Sequence, residues 1–393
     1  MKILHVGKYF PPFRGGMETF QRDLMSAQLR QGLAPSGLVH SSERRWRSVR
    51  QDYPTRDGTL PLWRAAVWLT LVFTPISPGF GLLLRQLLRR EQPDVLHLHL
   101  PNVSAFWALL LPRARRIPWV VQWQTDVIPS EHSLGLRLLY PLYRPFERAL
   151  LKRACRIIVS SPPYLESSPT LGEFRDKCRV IPLGLDPDML PAAPRSAPPG
   201  AVTGELRVLA IGRLTYYKGF QYLLQAAAEL PGLQLRLVGS GEEERSLRKL
   251  AGELGLGSRV RFLGRLDDAE LAAEFAAADC LSLPSIERTE SFGLVLLEAM
   301  HHGLATVVAT PAGSGVGWVV EHGLTGLCVA PQDSGALAAA LRQLADDHAM
   351  LRSLGASGKC KFDGQFHIER CAEHILALYR EILTDRASSG GHH

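Results

Sequence analysis

Apolar runs of strand length alternate with longer helical patterns along nearly the whole chain. This alternation predicts parallel sheets that are covered by helices on both faces. In the first half the predicted strands are Lys2–Gly7, Asp94–His99, Pro118–Trp123, Arg156–Ser160 and Arg179–Pro182. In the second half they are Leu206–Ile211, Leu233–Val238, Arg259–Leu263, Cys280–Leu283 and Thr306–Ala309. We therefore expect an α/β protein that is built from two similar halves.

A stretch rich in proline separates the two halves, because residues 187–200 contain too many prolines for either a helix or a strand. The length of 393 residues also exceeds the size at which one core keeps growing. We predict a first domain over residues 1–186, a linker over 187–200, a second domain over 201–366, and a C-terminal helix and tail over 367–393. The helical stretch His367–Thr384 is expected either to pack on its own domain or to cross back to the first one.

The composition is that of an ordinary globular protein, with 46% hydrophobic and 21% charged residues. We expect no signal peptide, because the sequence opens directly on a predicted strand. The apolar run Ala65–Phe73 would reach only ~14 Å as a helix, against ~30 Å of hydrocarbon. The cysteines form no CxxC pair and have no metal-ligand spacing, so we expect free thiols in a reducing cytosol. They are Cys155, Cys178, Cys280, Cys328, Cys360 and Cys371.

The charge is distributed unevenly between the halves. Residues 1–190 hold 26 Lys and Arg and 15 Asp and Glu, a net charge of +11, whereas the rest of the chain has a net charge of −4. A basic half attracts anionic partners. Basic residues mixed with Leu and Trp, as in Leu62–Trp68, favour an anionic bilayer surface over nucleic acid. A core helix with a solvated Arg face is the alternative for this segment.

The segment Arg288–Met300 is the most informative for chemistry. Two carboxylates, Glu290 and Glu298, lie eight positions apart around a glycine that opens an apolar helix, the first just outside the helix and the second two turns inside it. The backbone amides of residues 292–295 lack partners within the helix, so they favour an anionic ligand such as a phosphate. Carboxylates beside a phosphate can accept hydrogen bonds from a sugar and a ribose, which points to a nucleotide sugar. The alternative is a helix-start carboxylate and a solvated helix residue.

A pair of cations lies in the same half. Arg213 and Lys218 fall in the turn between the predicted strand Leu206–Ile211 and a helix from Phe220. Two cations at the carboxyl end of a sheet can bracket a diphosphate. Negative charge develops on a leaving diphosphate, and preorganised cations stabilise it. Together with the two carboxylates, the pair indicates glycosyl transfer from a nucleotide sugar.

Three loops of the first half follow predicted strands. Gly15-Gly16 allows close approach of a ligand to the backbone, although its spacing is not G-x-G-x-x-G. The other two loops contain His99 and the pair Gln124 and Asp126. Because parallel strands end on one rim, we expect these loops to face the same ligand-binding cleft. Each histidine is also compatible with a purely structural role.

Taken together, these motifs resemble a retaining glycosyltransferase of family 4 with the GT-B fold, in which two Rossmann-like domains face each other across a central cleft. The resemblance covers nearly the whole chain. It rests on Tyr9-Phe10-Pro11-Pro12, Gly15-Gly16, Glu18, the Arg213 and Lys218 turn, the Val238–Gly241 turn and the E-x7-E pair Glu290 and Glu298.

The resemblance implies metal-independent transfer with retention of the anomeric configuration, with catalytic roles for Glu290, Arg213 and Lys218. The implied donor contacts are Arg213 and Lys218 to the diphosphate, Glu290 to the sugar, Glu298 to the ribose, the amides of Phe292, Gly293 and Leu294 to sugar and phosphate, and the backbone near Arg265 and Leu266 to the base. The Gly15-Gly16 loop would lie against the diphosphate and the acceptor.

One position departs from the family pattern. Many members have a histidine that contacts the donor sugar where this chain has Gln124. Glutamine donates and accepts hydrogen bonds but carries no charge. This leaves a different sugar preference, a slower enzyme or compensation by His99. The Asp186-Pro187-Asp188 triplet spells the D-x-D pattern of metal-dependent transferases, but its prolines favour a turn, and we predict no metal site and no cofactor.

We therefore expect a cytoplasmic enzyme, peripheral on the inner face of the plasma membrane, that transfers a hexose from a nucleotide sugar to a glycan or lipid-linked acceptor. Mannose is the first guess, and nucleic acid is not expected as a partner. A nucleotide-sugar epimerase or hydrolase on the same fold is the alternative. A dinucleotide-dependent oxidoreductase lacks its G-x-G-x-x-G, and a non-catalytic binding protein would not need both charged pairs.

Overall fold

The structure is a computed structural model that describes residues 1–71, 74–128, 134–190 and 205–390. The chain forms two compact units, of which unit 1 comprises Met1–Gly184 and Ile368–His393, and unit 2 comprises Leu185–His367. The proline-rich residues 191–200 of the predicted linker lie outside the described residues.

Unit 1 is built on an eight-stranded sheet in the order β10-β9-β8-β7-β1-β2-β4-β3. All neighbouring strands are parallel except β3 and β4, which form an antiparallel hairpin. The strands are β1 (Lys2–Val6), β2 (Ala34–His40), β3 (Val49–Thr55), β4 (Gly58–Ala65), β7 (Val95–Leu100), β8 (Trp119–Trp123), β9 (Arg156–Val159) and β10 (Cys178–Val180). A separate antiparallel pair consists of β5 (Leu69–Leu71) and β6 (Thr74–Ile76).

Helices cover both faces of this sheet. They are α1 (Gly16–Arg30), α2 (Phe80–Arg90), α3 (Trp107–Leu110), α4 (Pro112–Arg115), α5 (Leu134–Arg153), α6 (Pro162–Ser167) and α14 (Ile368–Gly390). The larger apolar core includes Leu4 and Val6 of β1 and Leu96 and Leu98 of β7. The alternate residues of β1 and β7 point to the other face, against α1 and α14, because side chains alternate across a strand.

The last helix crosses back to the first unit, as one of the two sequence alternatives predicted. Glu369 of α14 pairs with Arg30 of α1, and Glu381 pairs with Arg156. A side chain at Gly184 would approach the Ile368 Cα to 2.7 Å, so the chain before unit 2 and the start of α14 pack without space for one. Unit 1 is therefore closed by a helix that is distant in sequence.

A buried polar network holds α14 to the sheet. His5 shares a hydrogen bond of 3.0 Å with His99 and one of 2.8 Å with Gln28 of α1. The hydroxyl of Tyr379 in α14 is 2.5 Å from His97 Nδ1 and accepts a hydrogen bond from Gln28. Burial lowers the pKa of His5 to about 4 and holds the pKa values of His97 and His99 well below 6.5. These imidazoles are therefore neutral in the folded protein.

The prediction for Leu62–Trp68 is wrong in both of its forms. This segment is neither an amphipathic surface helix nor a core helix, since residues 62–65 belong to β4. Trp63 and Arg64 are both 6% exposed, and the guanidinium of Arg64 donates to Gln51 and to the carbonyls of Phe10 and Pro11. Residues 62–65 of β4 are buried on both faces of the sheet, so this part of the strand shows no alternation of buried and exposed side chains.

Unit 2 contains a six-stranded sheet in the order β13-β12-β11-β14-β15-β16, with every pair parallel. Its strands are β11 (Leu206–Ile211), β12 (Leu233–Val238), β13 (Val260–Gly264), β14 (Cys280–Leu283), β15 (Ala305–Ala309) and β16 (Leu327–Val329). Its helices are α7 (Phe220–Ala228), α8 (Glu244–Glu253), α9 (Asp268–Ala277), α10 (Leu294–His301), α11 (Val316–Val319), α12 (Ser334–Asp346) and α13 (His348–Lys361).

Strand order reverses direction once in each sheet. In unit 2 the chain builds outward from β11 to β13, then returns to place β14 on the other side of β11. In unit 1 the corresponding neighbours are β1 and β7. Loops at the carboxyl ends of such strands diverge and leave a crevice, which is where open α/β sheets bind ligands.

The six cysteines are all free of disulfides. Within the described ranges, no helix combines the length and apolar character required to cross a membrane.

We predict that acid destabilises unit 1 through its buried histidines. Burial lowers the pKa of His40 to about 4, while an imidazole in the unfolded chain titrates near 6.5. Between pH 4 and pH 6.5 the imidazole of the unfolded chain binds a proton and that of the folded chain does not. The stabilisation of the folded state is therefore complete above pH 6.5 and is lost as the pH falls toward 4. The shift at His40 alone lowers the free energy of unfolding by about 3 kcal/mol when the pH reaches 4.

Denaturant unfolding between pH 7 and 4 measures this loss. His40→Gln is expected to flatten the pH dependence, whereas His374→Gln, at an exposed position of α14, leaves it unchanged. Identical pH profiles for the wild type and His40→Gln would contradict the assignment.

Candidate active site

The candidate site lies at the point where the strand order of unit 2 reverses. The loop after β11 runs from Gly212 through a 3₁₀ turn at Tyr216–Lys218, and the loop after β14 runs from Pro284 to Gly293. The Ile286 amide donates a hydrogen bond of 2.8 Å to the carbonyl oxygen of Tyr217, which joins the two loops directly. Two segments that are about 70 residues apart in sequence therefore form one rim.

An ion pair between Lys218 and Glu290 is the centre of this rim. Lys218 Nζ donates to Glu290 Oε2, and the two side chains are only 11% and 13% exposed. Burial opposes the charge on Lys218, but the attraction of Glu290 and Tyr217 outweighs it and raises the pKa of the lysine. The hydroxyl of Ser285 donates to the same carboxylate oxygen at 3.1 Å. The sequence prediction that these two charges converge agrees with this geometry.

Glycines allow the neighbouring turns to pack backbone against backbone. A side chain at Gly219 would reach the Pro284 carbonyl oxygen at 2.1 Å, and one at Gly239 would reach the Gly212 carbonyl oxygen at 1.9 Å. Gly239 also has a φ of +131°, which side-chain-bearing residues rarely adopt. The Leu214 amide donates to the Ser240 carbonyl at 3.1 Å. The turns after β11, β12 and β14 are thereby fixed relative to one another.

Arg213 and Arg265 are at the exposed side of the same rim. Arg213 lies 3.3 Å from Glu242, and its side chain is 52% exposed. Arg265 Nε donates to the Ser240 hydroxyl at 2.9 Å, and Leu266 beside it is half-buried. Burial raises the pKa of Tyr217, while Lys218 and Arg213 lower it and Glu290 raises it, which indicates that all three charges are close to this ring.

Helix α10 begins at this rim, directly after the loop that carries Glu290. Its N-cap, Gly293, has a φ of +77°, and a side chain there would come within 2.9 Å of both Leu283 and Leu296. The Phe292 ring packs against Trp318 and Phe366, so only its backbone can face a ligand. Glu298 is the fifth residue of α10, just over one turn inside the helix. The sequence predicts a position two turns inside, and the difference arises because the helix begins only at Leu294.

The sequence prediction missed two serines of the site. Besides Ser285, the Ser314 hydroxyl donates to the Glu290 carbonyl oxygen, and the Gly315 amide donates to Ser291 at 2.9 Å. The loop after β15 is therefore hydrogen-bonded to the backbone of the loop that carries Glu290. The position of Ser285 two residues beyond a predicted strand was the available signal for that residue, whereas nothing in the sequence marks Ser314.

In unit 1 the Gly15-Gly16 loop lies at the start of α1 and is exposed. Glu18 folds back over it, since a side chain at Gly15 would meet the Glu18 carboxylate at 2.4 Å. Burial raises the pKa of Glu18. Arg64 holds the preceding Phe10 and Pro11 carbonyls. This loop follows β1, at the carboxyl edge of the sheet, and presents glycine backbone to the surroundings.

The three weaker candidates of unit 1 are nearly fully buried. His99 is 4% exposed and hydrogen-bonded to His5, which places it in the polar network beneath α14. Gln124 is 5% exposed, and its Nε2 has no hydrogen-bond partner. Asp126 accepts from Trp123 Nε1 at 3.1 Å and from Ser168 at 2.8 Å. Asp126 therefore has structural partners, while Gln124 keeps an unused donor at the end of β8.

One group of side chains in the described part of the chain has the composition of a metal site. The ring nitrogens of His5, His97 and His99 lie within 4.8 Å of one another. Coordination by all three would require the His5–His99 hydrogen bond to break. The Asp186-Pro187-Asp188 segment forms a turn in which Asp186 accepts from the Asp188 amide at 3.1 Å, in agreement with the turn interpretation.

Family comparisons cover both halves of the chain. Residues 195–360 match the family model described as glycosyl transferases group 1, and residues 15–184 match the one described as glycosyl transferase 4-like domain. The chain is 28% identical to the O-antigen chain mannosyltransferase C of Escherichia coli, over 98% of this chain and 100% of the relative. It is 32% identical to the D-rhamnosyltransferase WbpZ of Pseudomonas aeruginosa, over 80% of this chain and 81% of the relative.

Among solved structures, the sucrose-phosphate synthase of Thermosynechococcus elongatus is similar with a TM-score of 0.80 and 24% identity. The similarity covers 98% of this chain and 99% of that structure. At this level of identity the likeness concerns the fold.

We predict that Gly239→Ala damages the site through its backbone. The new Cβ would collide with the Gly212 carbonyl and would force a strained φ, so we expect a loss of stability of about 2 kcal/mol or more. Gly255→Ala is the matched control, because Gly255 also has a positive φ of +64° but has nothing within 4 Å of the added carbon. It should cost only about 1 kcal/mol. Thermal unfolding of both variants makes the comparison, and equal losses would contradict the packing argument.

Proposed function

The chain belongs to the glycosyltransferase group 1 family and has the GT-B fold, and we propose that it transfers a hexose from a nucleoside diphosphate sugar to a glycan or lipid-linked acceptor at a membrane face. Mannose is our first choice of sugar, supported by the name of the Escherichia coli relative. The observation that carries the proposal is the nearly buried Lys218–Glu290 ion pair at the strand reversal of unit 2.

The charges of this rim match the demands of a leaving diphosphate. As the glycosidic bond breaks, negative charge develops on the phosphate oxygen, and a preorganised cation stabilises that charge most where water is excluded. Lys218 is held in place by Glu290 and has further N–H donors to give to a phosphate. In our proposal Arg213, which is more exposed, contacts the diphosphate from the solvent side.

The remaining donor contacts in our proposal are those that the family resemblance implies. In our proposal Glu290 accepts hydrogen bonds from the sugar, and Glu298 accepts them from the ribose. The amides of Phe292, Gly293 and Leu294 at the start of α10 bind sugar and phosphate oxygens. The backbone near Arg265 and Leu266 contacts the base. These roles use carboxylates as acceptors and amides as donors, which are the only hydrogen-bonding modes open to them at neutral pH.

We propose that unit 1 supplies the acceptor side. The exposed Gly15-Gly16 loop lies at the edge where β1 ends and lets backbone approach a ligand closely. Gln124, with its unused Nε2 donor, replaces the family histidine. An amide donates a neutral hydrogen bond to a sugar hydroxyl, so the substitution is expected to alter sugar preference without removing the leaving-group chemistry of unit 2.

No metal is required in this proposal, because Lys218, Arg213 and the α10 amides provide the positive charge that a metal ion supplies in other transferases. The acceptor hydroxyl then attacks the anomeric carbon while the diphosphate leaves, and its proton passes to the leaving phosphate. The anomeric configuration is retained.

Donor binding provides the first test of the proposal. Thermal unfolding is measured with guanosine, uridine and thymidine diphosphate sugars, and one of them at about 100 times its dissociation constant should add about 2.7 kcal/mol of stability. Lys218→Met should lose most of that gain, because it removes the diphosphate contact. Lys249→Met is the control, since Lys249 forms an exposed ion pair with Glu253 on α8. Equal stabilisation of both variants, or none by any donor, would contradict the donor site.

Turnover in the presence of a chelator tests the metal-free chemistry. We expect EDTA to leave sugar transfer within about twofold of the untreated rate, since charge compensation comes from side chains and amides. Product is measured with acceptor present and with donor alone. Loss of transfer that Mg²⁺ or Mn²⁺ restores would refute metal independence, and rapid donor conversion without acceptor would favour an epimerase or hydrolase.

A further inference from the structure

Exposed apolar side chains are concentrated in unit 1. Among the described residues, 15 large apolar side chains are exposed, and 14 of them belong to residues 1–184. The exception is Leu324 of unit 2. The same half of the chain carries the net charge of +11. Unit 1 thus combines excess positive charge with apolar side chains that its own core does not cover, and such patches mark interaction sites.

Helix α5 contributes the most pronounced part of this pattern. Leu138, Leu142 and Phe146 follow one another at intervals of four residues and are 68%, 68% and 51% exposed. This spacing places them on one face of the helix. Arg137 and Arg144 are exposed beside them.

The exposed face of α5 lacks exposed carboxylates. The only carboxylate of the helix, Glu147, is 1% exposed, and burial raises its pKa to about 7. Arg148 is paired with Glu173 at the edge of this face, 2.7 Å away. The face therefore presents leucine, phenylalanine and arginine, and Glu173 offsets part of the positive charge of Arg144 and Arg148.

Helices α3 and α2 extend this face. Phe106, next to α3, stacks on Phe146 of α5 with ring centroids 5.8 Å apart. Trp107 lies so close to α2 that a side chain at Gly81 would come within 2.6 Å of its ring. The sequence from Val95 to Thr125 contains no acidic residue.

We define the arginine–leucine surface as the exposed faces of α2, α3 and α5. Its apolar members are Leu82, Trp107, Leu110, Leu138, Leu142 and Phe146. On α2, Leu82 is 71% exposed and is followed, at intervals of three and four residues, by the exposed Arg85 and Arg89.

We propose that the arginine–leucine surface docks unit 1 on a bilayer that contains anionic lipid. Apolar side chains enter the headgroup region while guanidinium groups pair with lipid phosphates, which is how basic amphipathic helices bind membranes. A second copy of the chain fits less well, because two such surfaces would bring arginines against arginines. The docking rests on the part of the proposed function that places the acceptor at a membrane, and it is independent of the donor site in unit 2.

Vesicle flotation tests the docking. The wild type should float with phosphatidylcholine vesicles that contain phosphatidylglycerol, less with phosphatidylcholine alone, and less as salt screens the charges. Leu138→Glu with Leu142→Glu should weaken binding by about tenfold or more, because two apolar contacts become like-charged with the lipid. Leu324→Glu is the matched control, with an exposed leucine of unit 2, and should bind as the wild type does.

Each other outcome overturns the assignment. Equal flotation of all variants, or no flotation of the wild type, would remove the bilayer as the partner. The rings of Trp46 and Trp68 lie 5.8 Å apart, outside the arginine–leucine surface. If the double variant Trp46→Ser with Trp68→Ser lost binding while the α5 variants kept it, the membrane contact would lie at these two tryptophans instead. Concentration-dependent dimerisation that the α5 variants abolish would favour a second copy. Donor-induced thermal stabilisation of the α5 variants separates failure of docking from failure of the sugar-transfer proposal.

Discussion

The ion pair between Lys218 and Glu290 depends on one topological event, the reversal of strand order between β11 and β14. The reversal brings a lysine and a carboxylate that are 72 residues apart into contact beneath the start of α10. Removing either partner would leave the other as a partly desolvated charge without its counter-charge, which is strongly destabilising. Glycines at 219 and 239 then become obligatory, because any side chain would separate the turns that carry the pair.

The two units hold their loops in position through different interactions. Unit 2 locks its rim with glycine contacts and one ion pair near the surface. Unit 1 uses a neutral interior network in which His5, His97 and Tyr379 join the first strand, the central strand and the last helix of the chain. Neutral imidazoles can donate and accept within a buried space without the cost of burying charge. Several of the apolar residues that unit 1 leaves uncovered lie elsewhere, on α2, α3 and α5.

Most strands were predictable because each is a short apolar run bounded by turn residues, and the convergence of Arg213, Lys218 and Glu290 followed from placing their loops at strand ends. The β3–β4 hairpin was not predictable, because the second half of β4 is buried on both faces and lacks the alternation of apolar and polar residues that identifies a strand. Leu62–Trp68 therefore looked amphipathic when it was interior. The destination of α14 was undecidable, since an amphipathic helix reads the same whichever core it covers. Ser314 supports Glu290 through a backbone carbonyl, a contact that leaves no trace in sequence.

The central claim is that Lys218 and Glu290 act as one unit on a nucleotide sugar. A double-mutant cycle on donor affinity, with Lys218→Met, Glu290→Gln and the double variant measured by titration calorimetry, tests it most directly. The account predicts that the double variant loses less affinity than the sum of the single losses, by about 1 kcal/mol or more. Losses that simply add, or donor affinity that neither substitution changes, would contradict it.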